Sequence, residues 1–65
     1  MIGKVLWFNS KKGYGFIESG GNDYFFHRVN VKSSVISEGD SVEFDVTEGE
    51  KGPKALNVEV RRFNP

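Results

Sequence analysis

The chain has 65 residues, with no cysteine, one histidine, one tryptophan and two prolines, and its nine basic side chains are cancelled by nine acidic ones. Each shortage removes a class of protein. Without cysteine there is neither a disulfide framework nor a thiolate metal site. A lone histidine leaves a zinc-type ligand set without its second imidazole. A net charge of zero excludes a binder driven mainly by bulk positive charge. No apolar run approaches membrane-spanning length, and the opening M-I-G-K-V lacks the basic and apolar regions of a secretion signal, so a soluble cytoplasmic protein is expected. Helical spacing is nearly absent as well.

What the chain does have is charge in blocks and rings in alternation. Lys4, Lys11, Lys12, Arg28 and Lys32 outweigh Glu18 and Asp23 in residues 1–32. Residues 33–50 carry six acids and no Lys or Arg, and residues 51–65 are basic again. That pattern is either ordinary solubility patterning or a basic face opposed by an acidic one.

Period-2 alternation marks five strands, over 2–9, 13–19, 23–28, 41–47 and 54–63. N-S-K-K-G ends the first, and G-G-N at 20–22 is a tight connection between the second and third. Residues 29–40 have no clean period, and E-G-E-K-G-P at 48–53 reads as a loop. In S-V-E-F-D-V-T, Val42, Phe44 and Val46 are expected inward, with Glu43 and Asp45 outward. There is no repeat and no second domain, so residues 1–65 read as one domain near the lower size limit for folding without staples. Five short strands cannot stay open with bare edges, and closure into a small barrel removes most of them.

The pleat sorts the rings of K-G-Y-G-F-I-E (12–18) and D-Y-F-F-H (23–27). Tyr14 and Phe16 share one face of their strand, and Gly15 and Ile17 the other. Phe25 and His27 likewise oppose Tyr24 and Phe26. Ile17 marks its own face as core, so Tyr14, Phe16, Phe25 and His27 form the outward set. The opposite assignment would bury Tyr14 and Phe16 and expose Ile17. Gly13 and Gly15 read as gaps that let a ligand lie close to the backbone. A contiguous patch of exposed rings marks an interaction site. With lysines at its margin it suits unpaired nucleobases, whose faces stack and whose phosphates need counter-charge. For the first strand, Val5 and Trp7 share parity, and alternation alone leaves Trp7 unsettled.

G-K-V-x-W-F-N at 3–9, K-G-Y-G-F-I at 12–17, D-Y-F-F-H at 23–27 and E-G-x-K-G-P-x-A at 48–55 together resemble the cold-shock domain family, in order and across almost the whole chain. K-G-Y-G-F is similar to the first ribonucleoprotein motif, and the F-x-H of Phe25 and His27 to the second. The resemblance implies an all-β, five-stranded antiparallel OB-type β-barrel that binds single-stranded RNA and ssDNA. It implies a binding face at or beside Trp7, Phe8, Lys12, Tyr14, Phe16, Asp23, Phe25, His27 and Lys51, with Trp7 outward. The expected function is that of a passive nucleic-acid chaperone, with no cofactor and no membrane partner, acting as a monomer.

The chain departs from that family at several places. Leu6 stands where a basic residue is usual, which removes a phosphate contact. Arg28 replaces an aromatic; its planar guanidinium can stack on a base while pairing with phosphate, and it joins the candidate binding residues. Segment 29–38 is shorter than is common and holds no aromatic, so one outer stacking position is missing. Tyr24 is larger than the usual β-branched residue, and V-R-R-F-N-P is an unfamiliar tail. An enzyme is not expected: there is no nucleophile elbow and no phosphate-binding G-x-x-x-x-G-K-[ST]. The competing class is a protein-interaction barrel of the SH3 or Tudor type, its rings holding proline or methyl-lysine.

Overall fold

The computed structural model describes residues 1–33, 35–50 and 52–61. Five strands run β1 Ile2–Asn9, β2 Tyr14–Ser19, β3 Asn22–His27, β4 Ser41–Gly49 and β5 Gly52–Val60, with one 3-10 turn at Arg28–Asn30. They close into a barrel in the order β1-β2-β3-β5-β4. This is the small all-β barrel expected from the alternation. One neighbour relationship refines it: β3 meets β5 in parallel, at Phe25 opposite Lys54, while the other pairings are antiparallel. Among the described residues no helix is long and apolar enough to cross a membrane.

The β2–β3 hairpin is set by its turn. Ser19 pairs with Asn22, leaving Gly20 and Gly21 as a two-residue loop, both at positive φ (60° and 86°). Two left-handed residues match the right-handed twist of the flanking strands, and glycine adopts that backbone without steric cost. Register then follows, with Ile17 opposite Tyr24, Phe16 opposite Phe25 and Tyr14 opposite His27.

Two bulges tune the barrel. In β1, Val5 pairs with Ile17 but Trp7 pairs with Phe16, so Leu6 is an extra residue that switches the strand's inward and outward sides. Val5 is therefore buried and Trp7 exposed although they share parity. In β5 the extra residue lies between Leu56, opposite Asp45, and Glu59, opposite Glu43. There Asn57 takes φ 52° and its side-chain amide donates to the Asp45 carboxylate at 2.9 Å. Ala55 and Val58, three apart, consequently both face inward.

The core is Val5, Ile17, Tyr24, Phe26, Val42, Phe44, Ala55 and Val58. The large Tyr24 fits because its ring packs on Phe44, with centroids 5.5 Å apart. The aperiodic segment after β3 crosses β5 through a Val31–Val58 bridge and a Lys32 N–H donated to the Val58 carbonyl. It then turns at residues 37–40, where the Val5 N–H donates to the Asp40 carbonyl and the Gly39 N–H to the Val5 carbonyl.

Three sequence expectations are corrected. Val46 is 39% exposed rather than inward. β1 covers only Ser41–Glu43 of β4, so beyond Phe44 β4 has β5 on one side and no strand paired along its other edge. The loop at 48–53 contracts to a hairpin connection, because Glu48 pairs with Pro53 and Gly49 with Gly52. β5 accordingly begins at Gly52, and it ends at Val60; the tail at 62–65 lies outside the described residues.

Candidate nucleic-acid interface

The outward positions of β1, β2 and β3 form a grid. Asn9, Tyr14 and His27 make one row, Trp7, Phe16 and Phe25 the next, and Lys4, Glu18 and Asp23 the third. Four rings in this grid touch in a closed circuit. Trp7 lies 5.5 Å from both Tyr14 and Phe16, Tyr14 lies 5.6 Å from Phe25, and Phe16 lies 5.8 Å from Phe25. All four contacts are tilted or edge-on, the geometry that ring quadrupoles favour over a face-to-face sandwich. Trp7 is 40% exposed and the other three are half-buried, whereas Ile17 and Phe26 behind them are at 0%. The alternative in which Ile17 faces solvent is thereby excluded.

His27 extends the patch beyond Tyr14. Its Nδ1 accepts a hydrogen bond from the Val29 N–H at 3.3 Å, which orients the ring. On the other side of Tyr14, the Asn9 side-chain oxygen accepts from the Lys11 and Lys12 N–H groups, both at 3.0 Å. That Asx-type turn holds two exposed lysines at the platform's edge. Among the described residues the one salt bridge is Arg61 with Glu43 at 3.3 Å, so Lys11, Lys12 and Arg28 carry charge that no described acid neutralises.

The remaining candidates divide. Asp23 is exposed in the third row, opposite Glu18, and Arg28 is exposed immediately after His27. Phe8 stands apart from the four rings: it pairs with Gly15, on the side of the strand away from Trp7, and stacks on Phe26 at 5.6 Å with planes 15° apart. Lys51 lies outside the described residues.

A model of the "'Cold-shock' DNA-binding domain" matches residues 1–61. The chain belongs to the cold-shock domain family. It is similar to the cold shock-like protein CspB of Bacillus cereus, 50% identical over 62 residues that cover 89% of this chain and 95% of that protein. It is 48% identical to the cold shock protein ScoF of Streptomyces coelicolor over 86% of this chain and 91% of that one. A cold shock-like protein of Thermotoga maritima is 48% identical over 92% of this chain and 97% of the relative. The family's described activity is nucleic-acid binding, and the outward rings of this cold-shock domain are consistent with it.

Two features of this cold-shock domain differ from the sequence reading. Gly13 and Gly15 are not openings for a ligand. Gly15 is buried, and a Cβ there would collide with the Trp7 carbonyl oxygen and come within 3.0 Å of the Phe26 ring. A Cβ on Gly13, which sits at φ 76°, would come within 2.8 Å of the Arg28 guanidinium. The glycines therefore serve the packing of Phe26 and Arg28. Lys54 and Pro53, in turn, were not among the candidates. With Asp23, Glu50, Phe16 and Phe25 they line an open hollow of about 640 Å³ that continues the ring patch. The signal was in the parity: Ala55 is inward, so Lys54 beside it is outward. Only the parallel β3–β5 contact brings Lys54 next to Phe25.

Proposed function

We propose that residues 1–65 act as one binding domain for single-stranded RNA and ssDNA, stacking successive bases on Trp7, Tyr14, Phe16, Phe25 and His27. Phosphates are met by Lys12, Arg28 and Lys51, and Asp23 is available to accept from a base edge. Phe8 contributes from the barrel end by supporting the platform through Phe26. The observation that carries this reading is the closed circuit of four outward rings, which leaves aromatic surface in water with unpaired lysines beside it.

Base–aromatic stacking contributes about 1–3 kcal/mol per base, so about four engaged bases give a gross ~4–12 kcal/mol. Association and ordering cost several kcal/mol of that, which leaves roughly micromolar affinity. Duplex stacking averages about 1.4 kcal/mol per step, so captured bases offset only a few base pairs. Such a domain keeps weak hairpins open by mass action, without ATP, and leaves long duplexes intact. That is the work of a passive nucleic-acid chaperone, carried out by a cytoplasmic monomer.

Titration with oligo-dT and oligo-U, followed by Trp7 fluorescence, tests it. Quenching at micromolar or better concentrations is expected, with little response to duplex. Silence toward every single strand, together with binding of a proline-rich peptide, would assign the same rings to a protein partner instead.

A further inference from the structure

The charges around the ring patch are not symmetric. At the Tyr14–His27 end stand Lys11, Lys12 and Arg28, with no described acid paired to them. At the other end, four residues along β2 and thus about 13 Å away at a strand rise of ~3.3 Å, stand Glu18 and Asp23, opposite each other, with Lys4 beside Glu18. Glu50 and Lys54 join them at the hollow next to Phe16 and Phe25. One end of the row is cationic, and the other has its positive charge offset by carboxylates.

Arg28 is exposed next to the cationic end. Its backbone N–H donates to the Gly13 carbonyl at 2.7 Å, and its guanidinium lies over Gly13, in the space a Cβ would need. It also lines an open hollow of about 340 Å³ with Phe8, Ser10, Val31, Ser33, Val35 and Ile36. A guanidinium presents its N–H donors as a planar fork that matches phosphate oxygens.

We propose that the Arg28–Lys11–Lys12 end of the platform is a seat for the terminal phosphomonoester of a single strand, so that the domain discriminates between strands by the phosphorylation of one particular end. The proposal rests on the base-stacking reading of the same face. An internal phosphodiester carries one negative charge, whereas a phosphomonoester carries about −1.5 to −2 at neutral pH and offers three strong acceptor oxygens. A terminal group also reaches the cationic end without a further nucleotide having to pass it. At the other end the same group meets Lys4 and Lys54 with Glu18, Asp23 and Glu50 beside them, so it gains less there. The ligand class is a short single-stranded oligonucleotide with a terminal monophosphate, the kind of product that strand cleavage releases.

The experiment compares three forms of one oligo-dT hexamer by Trp7 quenching at low salt: hydroxyl at both ends, 5′-monophosphate, and 3′-monophosphate. One phosphorylated isomer is expected to bind about three- to tenfold tighter than the plain strand, the range of exposed to well-aligned charge pairs. The other is expected to bind equally or more weakly. In Arg28→Gln the ratio between the isomers is expected to fall toward one, and Arg28→Lys, which keeps charge without the fork, should retain part of it. Circular dichroism melts check that the variants stay folded. Equal affinity of the two isomers, or a ratio unchanged in Arg28→Gln, would overturn the phosphate seat while leaving base stacking intact. If the plain hexamer itself failed to quench Trp7, the base-stacking reading would fall and the seat with it.

Discussion

Phe16 and Phe25 stand opposite each other on neighbouring strands, ring centroids 5.8 Å apart and planes inclined at 74°, while the next residue along each strand, Ile17 and Phe26, is at 0% exposure. Adjacent residues of one strand thus lie on two different sides. The inward one belongs to the core, and the outward one stands half-buried in the ring circuit. The separation is physical and can be tested residue by residue.

Phe16→Ala and Phe25→Ala should each weaken binding of a dT hexamer by about five- to 150-fold, the equivalent of one lost stacking contact of ~1–3 kcal/mol. Their thermal melts should stay cooperative. Phe26→Ala, a buried aromatic, should cost about 3–5 kcal/mol, comparable to everything a core of this size supplies, about 3–5 kcal/mol. Its circular dichroism at room temperature should be that of a largely unfolded chain. Unfolding of the Phe16 or Phe25 variants would contradict the separation of roles.

Salt dependence should be shallow, because rings carry more of the binding energy than charges. With about two to four phosphates neutralised, the slope of log K against log salt for a single strand should lie near −1.4 to −2.8. A slope near −6 in the same titration would show phosphate contacts to be the dominant force.

Lys54→Gln should flatten that slope by about 0.7, the contribution of one phosphate contact to a single strand, and weaken binding uniformly across sequences. The basis is the position of Lys54 beside Phe25 in the hollow that continues the ring patch. An unchanged slope would remove Lys54 from the interface.

Gly15→Ala should destabilise the domain by about 1–3 kcal/mol, as overpacking does. The added methyl has no room between the Trp7 carbonyl and the Phe26 ring. Chemical denaturation should show a lower midpoint. If stability were unchanged while affinity fell, Gly15 would be a ligand gap after all.

Much of this was legible in the chain because a strand's pleat is a local property. Ile17 marks its neighbours Phe16 and Glu18 as outward whatever the rest of the barrel does, and G-G at 20–21 pins the hairpin register that sets Phe16 against Phe25. Parity failed where an extra residue interrupts it. Leu6 puts Val5 and Trp7 on opposite sides despite their spacing, and Asn57 brings Ala55 and Val58 to the same side. Neither residue type announces a bulge, since the extra residue is selected by how two strands meet.

Composition and alternation by themselves determined a small all-β chain without staples, which strands carry rings, and which of those rings share a face on β2 and β3. Those properties follow from side chains projecting to alternate sides of an extended backbone. Only the tertiary structure decided how β1 reverses its sides between Val5 and Trp7, why Val46 is left uncovered, and that Lys54 comes to flank Phe25. Those depend on barrel closure, strand overhang and a parallel contact between β3 and β5, and such long-range pairings leave no periodic trace in either partner.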